Sequence, residues 1–103
     1  MAYGERRREL YELVARIPSG HVCSYGLLGR SLSGPVSGVI VGKWMASCPP
    51  ELPWWRVVAA NGALVVASRS PHLAHEQRER LESEGVAFDG DAVRMAAFLW
   101  VPT

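Results

Sequence analysis

The sequence predicts an α+β domain, mostly helical, in which a helix-turn-helix unit is followed by a short β-hairpin and a charged helix. Three observations carry this expectation. Apolar residues return at three- and four-residue steps early in the chain, Ser33-Gly34-Pro35 separates two short helical segments, and Asn61-Gly62 stands between two apolar runs. At 103 residues the chain is expected to form a single domain, 1–103, near the lower size at which one core suffices without staples.

Each element has a local reason. Leu10, Leu13, Val14 and Ile17 place one apolar stripe on a helix over residues 5–17, which Pro18 and Gly20 end. Val22 and Cys23 read as a connector, and Ser24 is a good N-cap for a brief helix through Leu27, Leu28 and Leu32. After the Gly/Pro break, residues 36–45 carry Val36, Ile40, Val41, Trp44 and Met45 with small residues between them. Local propensity supports a helix there only weakly. Two short helices joined by a tight turn form a helix-turn-helix, in which the second helix meets DNA. Cys48-Pro49-Pro50-Glu51-Leu52-Pro53 is a proline-rich loop. Residues 57–60 and 63–66 then read as the arms of a hairpin around Asn-Gly. Ser70 as cap and Pro71 at the first helical position start a charged helix that runs through Glu84 and stops at Gly85.

Composition narrows the function classes. With 49% hydrophobic and 20% charged residues the chain has the balance of a soluble globular protein, and no apolar run approaches the roughly 18–20 residues of a membrane span. The start lacks the apolar core of a signal peptide, so the cytoplasm, or the nucleoid in a bacterium, is the expected location. Cys23 and Cys48 make no C-x-x-C, and His21, His72 and His75 fall into no zinc spacing with them, so neither a metal nor another cofactor is expected. A net charge of +1 is small for a nucleic-acid binder. The positive charge is uneven, however: most arginines precede residue 70 and most carboxylates follow it, so a positive face on the first two thirds is expected.

The motifs are more specific than the composition. Ile17-Pro18-Ser19-Gly20-His21-Val22-Cys23-Ser24-Tyr25-Gly26, Val41-Gly42 and Pro53-Trp54-Trp55-Arg56-Val57-Val58 occur in that order, and Leu81-Glu82-Ser83-Glu84-Gly85-Val86 closes the series. Together they resemble the O6-alkylguanine-DNA alkyltransferases, whose active-site signature P-C-H-R-V has lost both its cysteine and its histidine here. The C-terminal part is similar to the alkyltransferase-like branch, which has tryptophan in place of the cysteine. The resemblance implies a winged helix-turn-helix of the alkyltransferase C-terminal domain type. It would enter the minor groove, flip an O6-alkylguanine out of the stack and hold it beside the P-x-x-R-V loop, because an alkyl group on guanine lies inside the duplex.

The resemblance also implies roles residue by residue. Tyr25 matches a tyrosine that contacts the phosphate beside the flipped nucleotide, and its structural alternative is a core tyrosine behind a helix cap. Trp54 takes the place of the nucleophile, where an indole can wall a pocket but has no thiol to alkylate. Trp55 departs even from the P-W-H-R-V of its own branch, and pocket and core roles are both open for it. Pro53 and Arg56 belong to the pocket loop, with Arg56 expected to brace it. On the recognition helix, Ser37, Gly38 and Gly42 suit close approach in a narrow groove, and Lys43 is a phosphate candidate. Val39 replaces the arginine that fills the gap left by the flipped base, so Val39 or Ile40 would have to serve as an apolar wedge. Arg69 is a candidate for stacking on the base or holding a phosphate, and a solvated arginine is the alternative. Arg6-Arg7-Arg8, His72, His75 and the acidic helix read as solvent or partner face.

These readings add up to a monomeric, non-enzymatic sensor of O6-alkylguanine in duplex DNA, with nucleotide excision repair proteins as partners and no membrane role. Two competitors remain. One is a winged-helix DNA-binding or regulatory domain without lesion preference, and the other is a transferase that uses Cys23 or Cys48.

Overall fold

In the computed structural model, which describes residues 2–102, the chain order is α1 (Ala2–Ala15), β1 (Cys23–Ser24), α2 (Tyr25–Arg30), α3 (Gly38–Met45), a 3-10 turn (Trp54–Arg56) and β2 (Val57–Val58). A second 3-10 segment (Val65–Ser68), α4 (Pro71–Ser83), β3 (Phe88–Asp89), β4 (Ala92–Val93) and α5 (Met95–Phe98) complete it. The helices begin where side-chain caps permit. Ser24, Ser37 and Ser70 accept from the backbone N–H of Leu27, Ile40 and Leu73, and Pro71 occupies the first turn of α4. Helix α1 stops short of the predicted residue 17 because its end tightens into i→i+3 bonds, Arg16 N to Leu13 O and Ile17 N to Val14 O, ahead of Pro18.

Two sequence expectations need correction. Val22-Cys23 is not a mere connector: Cys23 and Ser24 pair in parallel with Val57 and Val58. The hairpin over residues 57–66 is also absent. Its Asn-Gly turn does form, with Gly62 at φ 88° and Gly62 N donating to Ala59 O at 2.8 Å. The arm beyond the turn leaves β2, however; Ala63 bridges to Ala92, Val93 N donates to Gly62 O, and Val65–Ser68 coils into the 3-10 segment. β-Branched residues favour strands only where a partner edge is offered. Here β1 is the partner of β2, and the hairpin of the fold is β3–β4, joined through Gly90 at φ 60°.

The β1–β2 ladder divides the interior. Successive residues of a strand face opposite sides, so Cys23 and Val57 join Leu10, Leu13, Val14, Ile17, Leu28 and Val41 in one cluster, whereas Val22 and Val58 join Leu81, Val86 and Val93 in another. The first cluster fixes the helix-turn-helix. Gly29 is required there, because a Cβ would meet Val36 O at 2.3 Å, and Val36 N donates back to Gly29 O. Helix α1 holds the far end of α3, with Tyr11 OH donating to Trp44 O at 2.6 Å and Arg7 Nη2 to Ser47 Oγ at 3.0 Å. Arg7 thus has a structural partner rather than only a solvated face. Among the described residues no helix is long and apolar enough to cross a membrane.

Candidate nucleic-acid interface

Helix α3 presents Gly38, Val39, Gly42, Lys43 and Ala46, spaced to share one side of a helix, to a cavity of about 510 Å³. Tyr25 from the start of α2, Trp54 from the 3-10 turn, Val65, Val66 and Arg69 from the second 3-10 segment and its end, and Gln77 from α4 contribute the remaining walls together with Met45. The lining contains two cations, Lys43 and Arg69, and no carboxylate. Val39 is 72% exposed, which is unusual for a large apolar side chain beside a cavity.

Seven residues singled out in the sequence meet in this cavity: Tyr25, Gly38, Val39, Gly42, Lys43, Trp54 and Arg69. The other four lie elsewhere. Ser37 is the cap of α3, Ile40 is half-buried outside the lining, and Pro53 precedes the 3-10 turn as its N-terminal flank. Arg56 faces away from the cavity, into a network that holds the loop. Gly38 serves the fold as well, since a Cβ there would come within 3.2 Å of Gly26 N; Gly42 has open space and does leave that stretch of helix bare.

The Trp-bearing loop is held from behind by one carboxylate. Glu84 receives Arg56 Nη2 at 2.7 Å, Trp55 Nε1 at 2.9 Å and Gly20 N at 2.9 Å, while Arg56 Nη1 donates to Ile17 O at 2.9 Å. The Ile17-Pro18-Ser19-Gly20 turn and the Pro53-Trp54-Trp55-Arg56 loop are therefore joined through Glu84, and the Arg56 and Glu84 side chains are only 15% and 12% exposed. Trp55 packs against the second cluster, 4.5 Å below the Arg80 guanidinium and edge-on to Trp54. It is a hydrogen-bonded core residue, outside the cavity lining. The expectation that the whole acidic helix is solvent or partner face fails at its end, where the half-buried Glu84 holds this network together. Sequence reasoning missed Gln77 and Glu84. Their spacing from Leu81, four before and three after, marks them as polar residues on the apolar stripe of α4.

Burial alone would raise the Glu84 pKa, but the hydrogen bonds from Arg56, Gly20 and Trp55 and the Arg56 charge outweigh it, and the net shift is downward from 4.5. A carboxyl depressed on folding contributes stability above its unfolded pKa and loses it as pH falls through the folded value. The melting temperature should therefore drop on acidification below about 4.5 in the parent, and a thermal melt series with Glu84→Gln should lack this component. A pH series that is the same for both proteins would contradict the assignment.

Neither cysteine is placed for transfer. Burial pushes the Cys23 thiol up to about 11 despite a backbone hydrogen bond at Ser24 and the Arg30 charge, and Cys23 is fully buried. Cys48 is raised by burial and by Glu51. Both are free thiols outside the cavity lining, and an attacking sulfur must be an accessible thiolate. The Tyr25 phenol is raised by burial, which the Arg69 charge opposes, so it stands ready as a neutral donor.

The comparisons with known proteins agree with this geometry. The family model "6-O-methylguanine DNA methyltransferase, DNA binding domain" matches residues 5–86. Alkyltransferase-like protein 1 of Schizosaccharomyces pombe is 37% identical over 84% of this chain and 81% of its own length. The DNA base-flipping protein of Escherichia coli is 30% identical over 90% of this chain and 72% of its own. Among solved structures, S. pombe Atl1 in complex with damaged DNA containing O6-carboxymethylguanine superposes with a TM-score of 0.81 at 29% identity, covering 96% of this chain and 97% of that one. From the matched residues 5–86 and these relatives together, the chain belongs to the family of the 6-O-methylguanine DNA methyltransferase DNA-binding domain, on its alkyltransferase-like branch.

Proposed function

We propose that this protein binds duplex DNA through α3 in the minor groove, draws an O6-alkylguanine out of the stack into the cavity walled by Trp54, and marks it for nucleotide excision repair. The observation that carries the reading is the cavity itself. Its volume of about 510 Å³ lies within the roughly 300–1,000 Å³ of small-molecule sites, and it opens beside the helix that a helix-turn-helix lays against DNA. Unstacking a base costs a few kcal/mol and least at a damaged pair, which supplies the first discrimination. The Trp54 face and the apolar lining then favour an alkylated over a bare oxygen, because the alkyl group brings no polar demand of its own. Lys43 and the Tyr25 hydroxyl are placed to take the flanking phosphates and Arg69 to meet the base or its phosphate. Val39, exposed at the cavity, supplies an apolar wedge for the gap in the stack.

Handing the lesion on follows from the missing chemistry. With no thiol in the cavity the captured base stays alkylated, so repair requires a partner that recognises the complex. Val39 also favours a second reading, a DNA binder without lesion preference, since valine lacks the length and charge of an arginine. Fluorescence anisotropy at a stated salt concentration, on two duplexes that differ by one O6-methylguanine, separates the two. A preference for the modified duplex that is stable in time and leaves no adduct on the protein is the expected result. Equal affinity would remove the lesion-sensing reading in favour of the second.

A further inference from the structure

The arginines of this chain sort by what they meet. Arg56, Arg78, Arg80 and Arg94 pair with Glu84, Glu82, Glu76 and Asp89 at 2.7, 3.2, 3.0 and 2.9 Å. Arg30, the last residue of α2, is exposed and joins none of these pairs. A cation at the end of a helix commonly turns to the final carbonyls. Those of α2 are already served by Ser31, whose backbone N–H bonds to Leu27 O and Leu28 O and whose Oγ donates to Leu27 O at 2.7 Å. The Arg30 side chain turns the other way, back along α2, and its Nη1 stands 3.3 Å from the place where a Cβ on Gly26 would lie.

That place lies at the crossing of the two helices of the helix-turn-helix. A Cβ on Gly38 would come within 3.2 Å of Gly26 N and 3.3 Å of Gly26 Cα, so α3 begins against the bare backbone of α2. Gly26 and Arg30 are four residues apart and share one face of α2, whereas Tyr25, one residue earlier, is turned about 100° away. Tyr25 and Gly38 line the cavity with Lys43 and Arg69, and Gly26 and Arg30 do not. The crossing thus has an inner side, with the Tyr25 phenol, and an outer side, on which the Arg30 guanidinium lies over a glycine that leaves it room.

We propose that Arg30 binds a phosphate of the DNA at the outer side of the α2–α3 crossing, outside the cavity, and so holds the duplex against α3 whatever base the cavity meets. This rests on the reading above that α3 lies against duplex DNA. A guanidinium suits the task, because its planar fork gives a phosphate two parallel N–H···O bonds and its charge is permanent. Such a contact fixes the position of the protein on the duplex and carries no information on sequence or damage. Trp54 and Val39 then act on the captured base, while Arg30 sets the affinity for every duplex. Gly26 is the second part of the arrangement, since a larger side chain there would occupy the room that the guanidinium uses.

Anisotropy titrations over a series of salt concentrations, on duplexes with guanine or O6-methylguanine at one position, test this with the parent, Arg30→Gln, Arg30→Lys and Arg8→Gln. Arg8 is exposed on α1 and controls for the loss of one charge elsewhere. Because Arg30 is exposed as well, the variants are expected to melt at the parent's temperature. Arg30→Gln is expected to weaken binding to both duplexes equally, about five- to tenfold at roughly 0.1 M salt, and to lower the slope of log affinity against log salt by about 0.9. Arg30→Lys keeps the charge and is expected to retain that slope, and Arg8→Gln is expected to change neither quantity. An unchanged slope in Arg30→Gln, or the same fall in Arg8→Gln, would overturn the proposal. A loss confined to the O6-methylguanine duplex would overturn it too, since Arg30 would then act at the lesion. A parent that binds both duplexes alike would remove the lesion-capture reading alone, because the Arg30 slope is read on either duplex. A parent that binds neither would overturn both.

Discussion

Arg56→Met melts roughly 12–24 °C below the parent, the expected consequence of removing about 3 kcal/mol from a domain of this size. The magnitude follows from what the substitution strands. Methionine fills much of the arginine's space, but Glu84 stays behind with a side chain 12% exposed and loses the 2.7 Å partner that compensated its burial. Ile17 O loses its 2.9 Å donor at the same time. Removing one member of a buried pair costs far more than a surface ion pair contributes, because the remaining charge has neither water nor a counter-ion. Circular dichroism melts at neutral pH measure this directly, and a loss under about 1 kcal/mol would mean that the pair is no better than a solvated one. Glu84→Gln should cost less than Arg56→Met, since a neutral amide can still accept from Gly20 N and Trp55 Nε1.

The second large effect concerns binding rather than folding. Trp54→Ala should reduce the preference for O6-methylguanine over guanine about 30-fold, the loss of roughly 2 kcal/mol that truncating an aromatic anchor typically brings. In the proposed mode of binding, undamaged DNA is held through phosphate contacts by exposed cations such as Lys43 and not by the half-buried indole, so affinity for it should hardly change. Anisotropy with both duplexes at two salt concentrations separates the components. Equal loss on both would show Trp54 acting through the fold, and an unchanged ratio would remove it from the base pocket.

Legibility in the sequence followed how local the cause was. The caps at Ser24 and Ser70, the stop at Gly85 and the apolar stripe of α1 could all be read, because each depends on neighbours within a turn or two; Ser37, read as a small residue inside its helix, is instead the cap. The Asn61-Gly62 turn was legible as a turn, yet the pairing beyond it was not. Whether residues 63–66 join β2 depends on β1, some forty residues earlier in the chain, being its partner, and no local pattern encodes that. Tyr25, Gly42 and Trp54 could be named because they fall within ordered motifs, and Gly38, Val39 and Lys43 because they flank Val41-Gly42 on one helix; Arg69 lies outside every motif. Gln77 and Glu84 escaped because a polar residue in a charged helix looks solvated until its helical face is compared with Leu81. Trp55 could not be decided from sequence, since an indole suits both a pocket and a core; the hydrogen bond to Glu84 settles where it packs.

The parallel register of Cys23 with Val57 has a topological consequence. Everything between those residues, from Tyr25 through α2, α3 and the proline-rich loop to Trp54, is a closed excursion of the chain whose two ends lie side by side. Such a loop is tied at its neck. Its two rims, Tyr25 just after one end and Trp54 just before the other, keep their spacing because the neck between them is a pair of hydrogen-bonded strands. A bolt through the base of a gripper does the same for its jaws.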